Sequence, residues 1–549
     1  MDNFRLVFGI MFAVSVFLIV EAWIQQNKPA VQLATNAPAQ GSGQQGIPTP
    51  TATAPSSSVT PLAPSTTPIV AQKGQRVVVR TDLLLAEIDT VGGDVRRVEL
   101  LKHRDTIDKS KNFLLMHDGA EGIYIAQGGY LGEGQANHTT VFTAADTHYE
   151  LKDGTNELEV VLRATLPSGT VNTKTYRFNR GSYLVGVDLQ ANIAGGATSP
   201  THAYFQLVRD DRPAPGESKM MPTYTGGEVF TEATKLIKVT YEDAKEAKVA
   251  LPKDVQDGWI AFVQHYFLGA WLPEKGISRE YYARALDGGL YAFGTIVPLK
   301  QSGAGFGVKV PLYIGPQEQD TLKKLAPGLE FTVDYGWLRL LAVPLFWVLN
   351  KIHDFAGNWG VAIIVLTILI KLIFYPLSAA SYRSMGKMKV LAPKLQRLKE
   401  RYGEDRQKMH QAMMEMYKTE KVNPLGGCLP IVVQIPVFIS LYWVLLLSVE
   451  LRQAPFIFWI KDLSALDPYY VLPVLMGITM FIQTWLNPTP PDPMQARLMK
   501  IMPIAFSVFF FFFPAGLVLY WLVNNILSIA QQWHITRALE RDNAAHVKT

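Results

Sequence analysis

A chain of 549 residues that is 48% hydrophobic and 18% charged, with a net charge of +5, is neither intrinsically disordered nor collagen-like, and its single cysteine, Cys428, excludes a disulfide scaffold and a Cys-based zinc site. The charge is segregated, since residues 73–334 carry 29 Lys+Arg against 33 Asp+Glu, a net of −4, and the remainder carries 23 against 14, a net of +9. That division suits a membrane protein with basic cytoplasmic loops rather than a nucleic-acid binder.

The first apolar run, 6–20, follows Arg5 and continues through Trp23. The small-x-small site Ala37 to Ala39 lies too far downstream for cleavage, so the pattern favours an uncleaved anchor over 1–26 rather than a signal peptide. From Pro29 to Gln72 there is no charge and there are eight prolines, which predicts a disordered tether over 27–74. The period then changes to two. Leu158, Val160, Leu162 and Ala164 alternate with Glu157, Glu159, Val161 and Arg163, and Pro167-Ser168-Gly169 turns the chain towards Tyr176 and Phe178. Arg180-Gly181 then leads into Tyr183, Val185, Val187 and Leu189. This is an antiparallel meander, and over 75–326 it predicts a large all-β sandwich. The glycines at 128, 129, 132 and 134 read as turns, and His265, among Phe262, Tyr266 and Phe267, as a core or interface residue.

Residues 327–356 predict an amphipathic helix lying in the membrane interface, with Arg339 and Lys351 near its ends and Pro344 inside. Five spans of an all-α bundle follow over 357–536, at 359–377, 428–448, 469–486, 498–513 and 517–533. The fourth is short: its sixteen residues reach only ~24 Å of a ~30 Å hydrocarbon core, which predicts extension into 494–497 or a thinned bilayer. With the N-terminal anchor this makes six spans. The segment 382–422 carries 11 Lys+Arg against 5 acids, whereas 449–468 carries 2 against 3. The first is therefore cytoplasmic, which places both termini inside, including the tail 537–549, and the β domain outside.

No catalytic constellation is present: the ten histidines form no HExxH, and neither GxxxxGK[ST] nor GxSxG occurs. No enzyme activity, cofactor or metal is expected. The informative feature is polarity inside the spans. Lys371 lies ~18 Å along its helix from Trp359, where a lysine costs ~2.5–3.5 kcal/mol. Thr367 precedes it by one turn, and other spans offer Gln434, Thr479 with Gln483, and Asn524, Asn525 and Ser528. These residues either line a wet cavity or, if Lys371 snorkels to the headgroups, only bond neighbouring helices. The cytoplasmic segment repeats an apolar stripe at Leu391, Leu395, Leu398 and Tyr402, then at Met409, Met413, Met416 and Tyr417, with a break at Gly403. It reads as a helical hairpin whose Met385, Met388, Met409, Met413, Met414 and Met416 either form a permissive binding surface or pack one helix on the other.

The runs EKVNPLGGCLPIVVQIPVF at 420–438, DPMQARLMKIMP at 492–503 and FPAGLVLYWLVNNILSIAQQ at 513–532 resemble the YidC membrane protein insertases, as do TDLLLAEIDTVGGDVRRVEL at 81–100 and GWIAFVQHYFLGAWLP at 258–273. The resemblance spans essentially the whole chain. It implies an inner-membrane protein with a periplasmic β-supersandwich and a five-span insertase core, which inserts and helps fold nascent membrane proteins, alone or with the Sec translocon, ribosomes and signal-recognition targeting factors. It also implies a hydrophilic groove, open to cytoplasm and lipid, with one essential positive charge. Lys371 stands at that position where most members carry arginine; Thr367 matches a groove-facing threonine, and Tyr520 and Trp521 stand where two tyrosines are expected. The competing reading is a membrane-anchored carbohydrate-binding or sugar-modifying module, with Trp259, Tyr266 and Trp271 as stacking platforms.

Overall fold

The computed structural model describes residues 73–548 apart from 121, 194, 196–197, 215–222, 303–304, 403–404, 421–428 and 488–492. The expected anchor over 1–26 and nearly all of the expected tether lie outside the described residues. Two compact units divide at Val333 and Asp334, and each is described by itself.

The first unit is all-β in its core, as the alternation predicts, with a nine-stranded and an eleven-stranded sheet among the described residues. The meander is formed by Glu157–Thr165, Val171–Asn179 and Leu184–Asn192, paired antiparallel with Val160 opposite Tyr176 and Tyr176 opposite Val187. All three side chains are buried, so the period-2 register sets the inner face, and burial contributes ~1.5–3 kcal/mol for each fully covered large apolar side chain. The turn between the first two strands closes at Gly169, whose φ of 82° suits a residue without Cβ. Across the two sheets Phe113 stacks on Phe267 at 4.1 Å and Phe205 meets Trp271 at 4.9 Å.

A polar cluster is sealed inside this core. Lys174, from the eleven-stranded sheet, donates to Gly92 O at 3.1 Å, Gly128 O at 3.0 Å and Asp94 Oδ1 at 3.3 Å. Asp94 Oδ2 accepts from Gln127 Nε2 at 2.9 Å, and Gln127 Oε1 accepts from Gln206 Nε2 at 2.9 Å. Nearby, His138 Nδ1 and the Tyr204 hydroxyl are 2.8 Å apart. A charge buried in this way persists because its donors and acceptors are matched.

Trp259 and Trp271 are core residues too, each 1% exposed, and Trp259 donates its indole N–H to Pro327 O at 3.1 Å. Neither has a face to offer a sugar, so of the three expected stacking platforms only Tyr266 is half-exposed. His265 is not a core histidine: it sits half-exposed in a strand turn with φ of 37°, its ring stacked on Tyr266 at 3.7 Å.

The second unit is helical. Its elements are α1 (Arg339–Ala356), α2 (Trp359–Ile373), α3 (Tyr375–Tyr402), α4 (Arg406–Thr419), α5 (Leu429–Leu447), α6 (Val471–Leu486), α7 (Pro493–Phe510) and α8 (Ala515–Lys548). The amphipathic pattern of α1 is realised, with Ala342, Phe346 and Leu349 buried along one stripe and Leu340, Trp347 and Phe355 exposed. It starts at Arg339, later than the expected 327, because the residues before it form short 3-10 turns. Gly357 in the left-handed region ends α1, and the Asn358 side chain caps α2 by accepting from Val361 N, which turns the chain sharply between them.

The expected continuous span at 359–377 is broken. α2 ends at Ile373, and the chain bends by 66° into α3. Pro376 sits in the first turn of the new helix, where its missing N–H costs nothing. By length and composition this bent pair is the described segment that could cross a membrane, and no single described helix is long and apolar enough to do so. α7 begins at Pro493, in line with the extension expected for the short fourth span. α3 and α4 pack on each other, with Leu391, Leu395 and Tyr417 buried and Lys394 bound to Glu420 at 2.6 Å.

Candidate functional site

The polar residues of the helical unit converge on α8. Lys371, in the last turn of α2 just before the bend, is 6% exposed and donates to Ser528 Oγ at 2.7 Å. Ser528 in turn donates to Asn524 O, one turn back on its own helix, at 2.8 Å. Asn524 Oδ1 accepts from Gln434 Nε2 of α5 at 3.4 Å, and Asn525 Nδ2 donates to Thr479 Oγ1 of α6 at 3.4 Å. Positions 524, 525 and 528 share one side of a helix, and each reaches a different neighbour. Between apolar helices such polar contacts are specific fasteners, and long ones at 3.4 Å are weak.

Among the described residues Lys371 has no carboxylate partner and a single hydrogen-bond acceptor, so two of its three N–H donors have no acceptor there. Thr367 lies a turn deeper, 1% exposed, and its hydroxyl donates to Ile363 O at 2.6 Å. It is spent on its own helix rather than shared with Lys371. Thr479 is bonded likewise, to Met476 O at 2.7 Å, while accepting from Asn525. Gln483 is half-buried one turn further along α6.

Tyr520 is 2% exposed, and its ring and that of Trp521 both pack near Phe438 of α5, at 6.0 and 4.5 Å. Trp521 also meets Phe510 of α7 at 5.6 Å, and its buried indole N–H has no hydrogen-bond partner among the described residues. The aromatic pair thus closes the α5–α7 side of the ladder.

Two members were missed in the sequence. Gln532, one turn beyond Ser528, donates to Asn487 Oδ1 at 3.0 Å, and Tyr382 of α3 has its hydroxyl in hydrogen-bond reach of Ser528. The first was findable, since the 524, 528, 532 spacing continues the same helical side. The second was not, because the bend at Phe374 decides where α3 goes. Met385, Met388, Met409, Met413 and Met416 are half-buried on the packed α3–α4 pair and Met414 is more exposed, so they serve both packing and surface. No group of His, Cys, Asp or Glu among the described residues is placed to hold a metal.

One end of the ladder is closed by the segment joining α5 to α6. Asn358 Nδ2 donates to Phe456 O at 3.1 Å, and a Cβ on Gly360 would run into the Phe456 ring. Ala515 N donates to Ala465 O at 2.7 Å and Gly516 N to Leu463 O at 2.8 Å, which ties the same segment to the start of α8. Asp462 Oδ1 accepts from Gln453 N, Ser464 N and Ser464 Oγ, and Asp467 accepts from Trp459 Nε1, Tyr469 N and Leu472 N. The two carboxylates are spent holding the segment's own backbone, which makes it a stiff cap over the N-terminal ends of α2, α6 and α8.

The family described as 60Kd inner membrane protein matches residues 351–542, and that described as YidC periplasmic domain matches 76–348. A protein of Methylobacillus flagellatus named "Membrane protein insertase YidC" is 54% identical over 98% of both chains. One of the same name from Aromatoleum aromaticum is 52% identical over 99% of both. A solved structure described as an active YidC insertase with its first transmembrane domain resolved aligns with 84% of this chain and 93% of its own, at 19% identity and a TM-score of 0.39.

Proposed function

The chain belongs to the YidC family of membrane protein insertases, inner-membrane proteins with a periplasmic domain that are not enzymes, and we propose that the ladder on α8 with Lys371 is the hydrophilic groove through which it inserts its substrates. The observation that carries this reading is Lys371 itself: a buried ammonium with one acceptor and no counter-charge among the described residues. A structural lysine would be paired. This one has donors in reserve for a group that arrives from outside the chain, such as the acidic tail of a nascent membrane protein.

The groove shortens the apolar path that the polar tail must cross, and burial of the substrate's own hydrophobic span drives the transfer. Arginine at this position would also supply a charge, but with a planar fork; lysine supplies a compact charge that does not select bidentate geometry. Trp521 and Phe510 mark the apolar exit between α5 and α7. The remaining organisation follows the sequence: anchor over 1–26, tether over 27–74, supersandwich over 75–326, interfacial segment over 327–356 with its helix from Arg339, insertase core over 357–536, with both termini and the hairpin 382–422 in the cytoplasm. The methionines and basic face of that hairpin would receive ribosomes, signal-recognition targeting factors and substrates, and the Sec translocon would be a partner for larger substrates.

The test is complementation in cells depleted of the native protein, scored by protease protection of short single-span substrates. Lys371→Arg restores insertion, while Lys371→Ala and Lys371→Glu fail although the variants accumulate in the membrane, and substrates with acidic translocated tails suffer most because the charge acts across a poorly screened cavity. Full complementation by Lys371→Ala would falsify the groove-charge role.

A further inference from the structure

The cap between α5 and α6 has an outer side that its inner role does not use. Its inner side is committed to Gly360, Ala515 and Gly516, and two of its three carboxylates, the half-buried Asp462 and the buried Asp467, are bonded to nearby backbone N–H groups. The tip points the other way. Phe458 is 77% exposed and Ile457 47% exposed, and Phe458 is held at φ of 52°, a left-handed conformation that is costly for a bulky residue. Asp467, through Trp459 Nε1 at 2.9 Å, fixes the residue after it, so the exposure of Phe458 is enforced rather than a loose end.

From the tip a run of rings leads to the outer surface of the bundle. Phe458 lies 5.9 Å from Trp459, Trp459 lies 6.3 Å from Tyr469, and the adjacent Tyr470 meets Phe511, just past the end of α7, at 5.3 Å. Tyr469 and Tyr470 open directly onto the exposed apolar side of α6 at Val474, Leu475 and Ile478. In an inner-membrane protein that side of α6 faces lipid, and the tip continues it. The charge exposed beside the tip is cationic, Lys461. Exposed aromatics at the ends of apolar helices, with a neighbouring lysine, match the chemistry of the headgroup boundary of a bilayer.

We propose that the α5–α6 cap is a membrane anchor: Ile457 and Phe458 enter the headgroup–acyl boundary of the phospholipid leaflet opposite the charged hairpin, with Lys461 at the phosphates, and so hold the seal over α2 and α8 at a fixed depth. The choice of leaflet rests on the topology given above; the anchoring itself does not depend on the groove mechanism.

The experiment uses the full-length chain with Cys428→Ser, an environment-sensitive fluorophore on Phe458→Cys, and the same label on Ile457→Cys as a second probe and on Asp153→Cys as an exposed reference in the β domain. The proteins are placed in vesicles of phosphatidylethanolamine and phosphatidylglycerol, with either a lipid carrying a shallow nitroxide or aqueous iodide as quencher. The anchor predicts that both tip probes are quenched several-fold more by the nitroxide lipid than the reference, and several-fold less by iodide. Tip probes that behave like the reference overturn it. Tip probes shielded from both quenchers overturn it as well, since the surface would then be covered by protein, a second copy or a partner. Insertion activity is scored on the same proteins, so lost quenching with retained insertion sinks the anchor alone, and failed Lys371 variants leave the quenching result standing.

Discussion

The two units each bury a lysine, and they treat it in opposite ways. Lys174 in the β domain is 1% exposed and has three acceptors, one of them the carboxylate of Asp94, so every N–H is matched inside the chain. Lys371 in the helical unit is nearly as buried, at 6%, and among the described residues has Ser528 alone. The same side chain is a finished structural bolt in one place and an unfinished contact in the other. What separates them is the partner count rather than burial, and an incompletely bonded buried charge calls for an explanation that a matched one does not.

The largest expected effect tests the finished side. Asp94→Ala strands Lys174 and the nearby Arg96 in the core and lowers the stability of the β domain by about 3–5 kcal/mol, and adding Lys174→Met recovers part of the loss. Pulse proteolysis of the full chain across a urea series, following the β-domain fragment, measures both. A cost below 1 kcal/mol would mean that the cluster is wetter than its burial shows.

Next comes rigidity in the helical unit, which the comparison assigns to the cap rather than to the ladder. Gly360→Ala pushes a methyl group into the Phe456 ring and costs about 1–3 kcal/mol, and Phe456→Leu in the same chain relieves it. Thermal unfolding in detergent of the single and double variants decides; equal midpoints for wild type and Gly360→Ala would show that the cap is loose.

A smaller effect is written in pH. Burial, reinforced by the cations of Arg96, Lys174 and Arg284 against the opposing pull of Asp94, holds the His138 imidazole below its ordinary value of 6.5. The unfolded chain therefore binds more protons than the folded one just below pH 6.5, so stability is full above that pH and falls as the pH drops towards the folded value. Each unit of displacement is worth about 1.4 kcal/mol. His138→Gln flattens this part of the profile in β-domain melts between pH 7 and pH 5; an unchanged slope would assign it to other groups.

The smallest effect is on stability at Lys371. Lys371→Met removes an incompletely bonded charge from an apolar setting, so the melting midpoint stays the same or rises even as insertion is lost. A fall like that of Asp94→Ala would make Lys371 a second bolt and erase the comparison.

Much of this was legible beforehand. The meander, its turns and its buried registers follow from period-2 alternation, and the ladder follows from amides and a serine at helical spacing inside apolar runs. The buried cluster around Asp94 was not read, although Lys174 shares the inward parity of Tyr176 and Phe178; its carboxylate lies 80 residues away in sequence, and pattern within one strand cannot name a partner in the opposite sheet. The break at Phe374 was missed because apolarity runs straight through it. Pro376 was the available signal, since a proline disfavours helical geometry in the residue before it and opens helices well. The cap was illegible as such: its strength lies in two aspartates bonded to backbone, and backbone leaves no trace in composition.

That bend also has a geometric consequence. Beyond it α3 runs for 28 residues, about 40 Å at ~1.5 Å per residue, with Lys371 less than one turn before the pivot. Rotation there by about 10° would carry the far end of the rod through ~7 Å, more than the ~5.4 Å rise of a helical turn. Lys371 and the far end of α3 thus sit on the short and long arms of one lever, on which a small adjustment at the charge is magnified at the turn into α4.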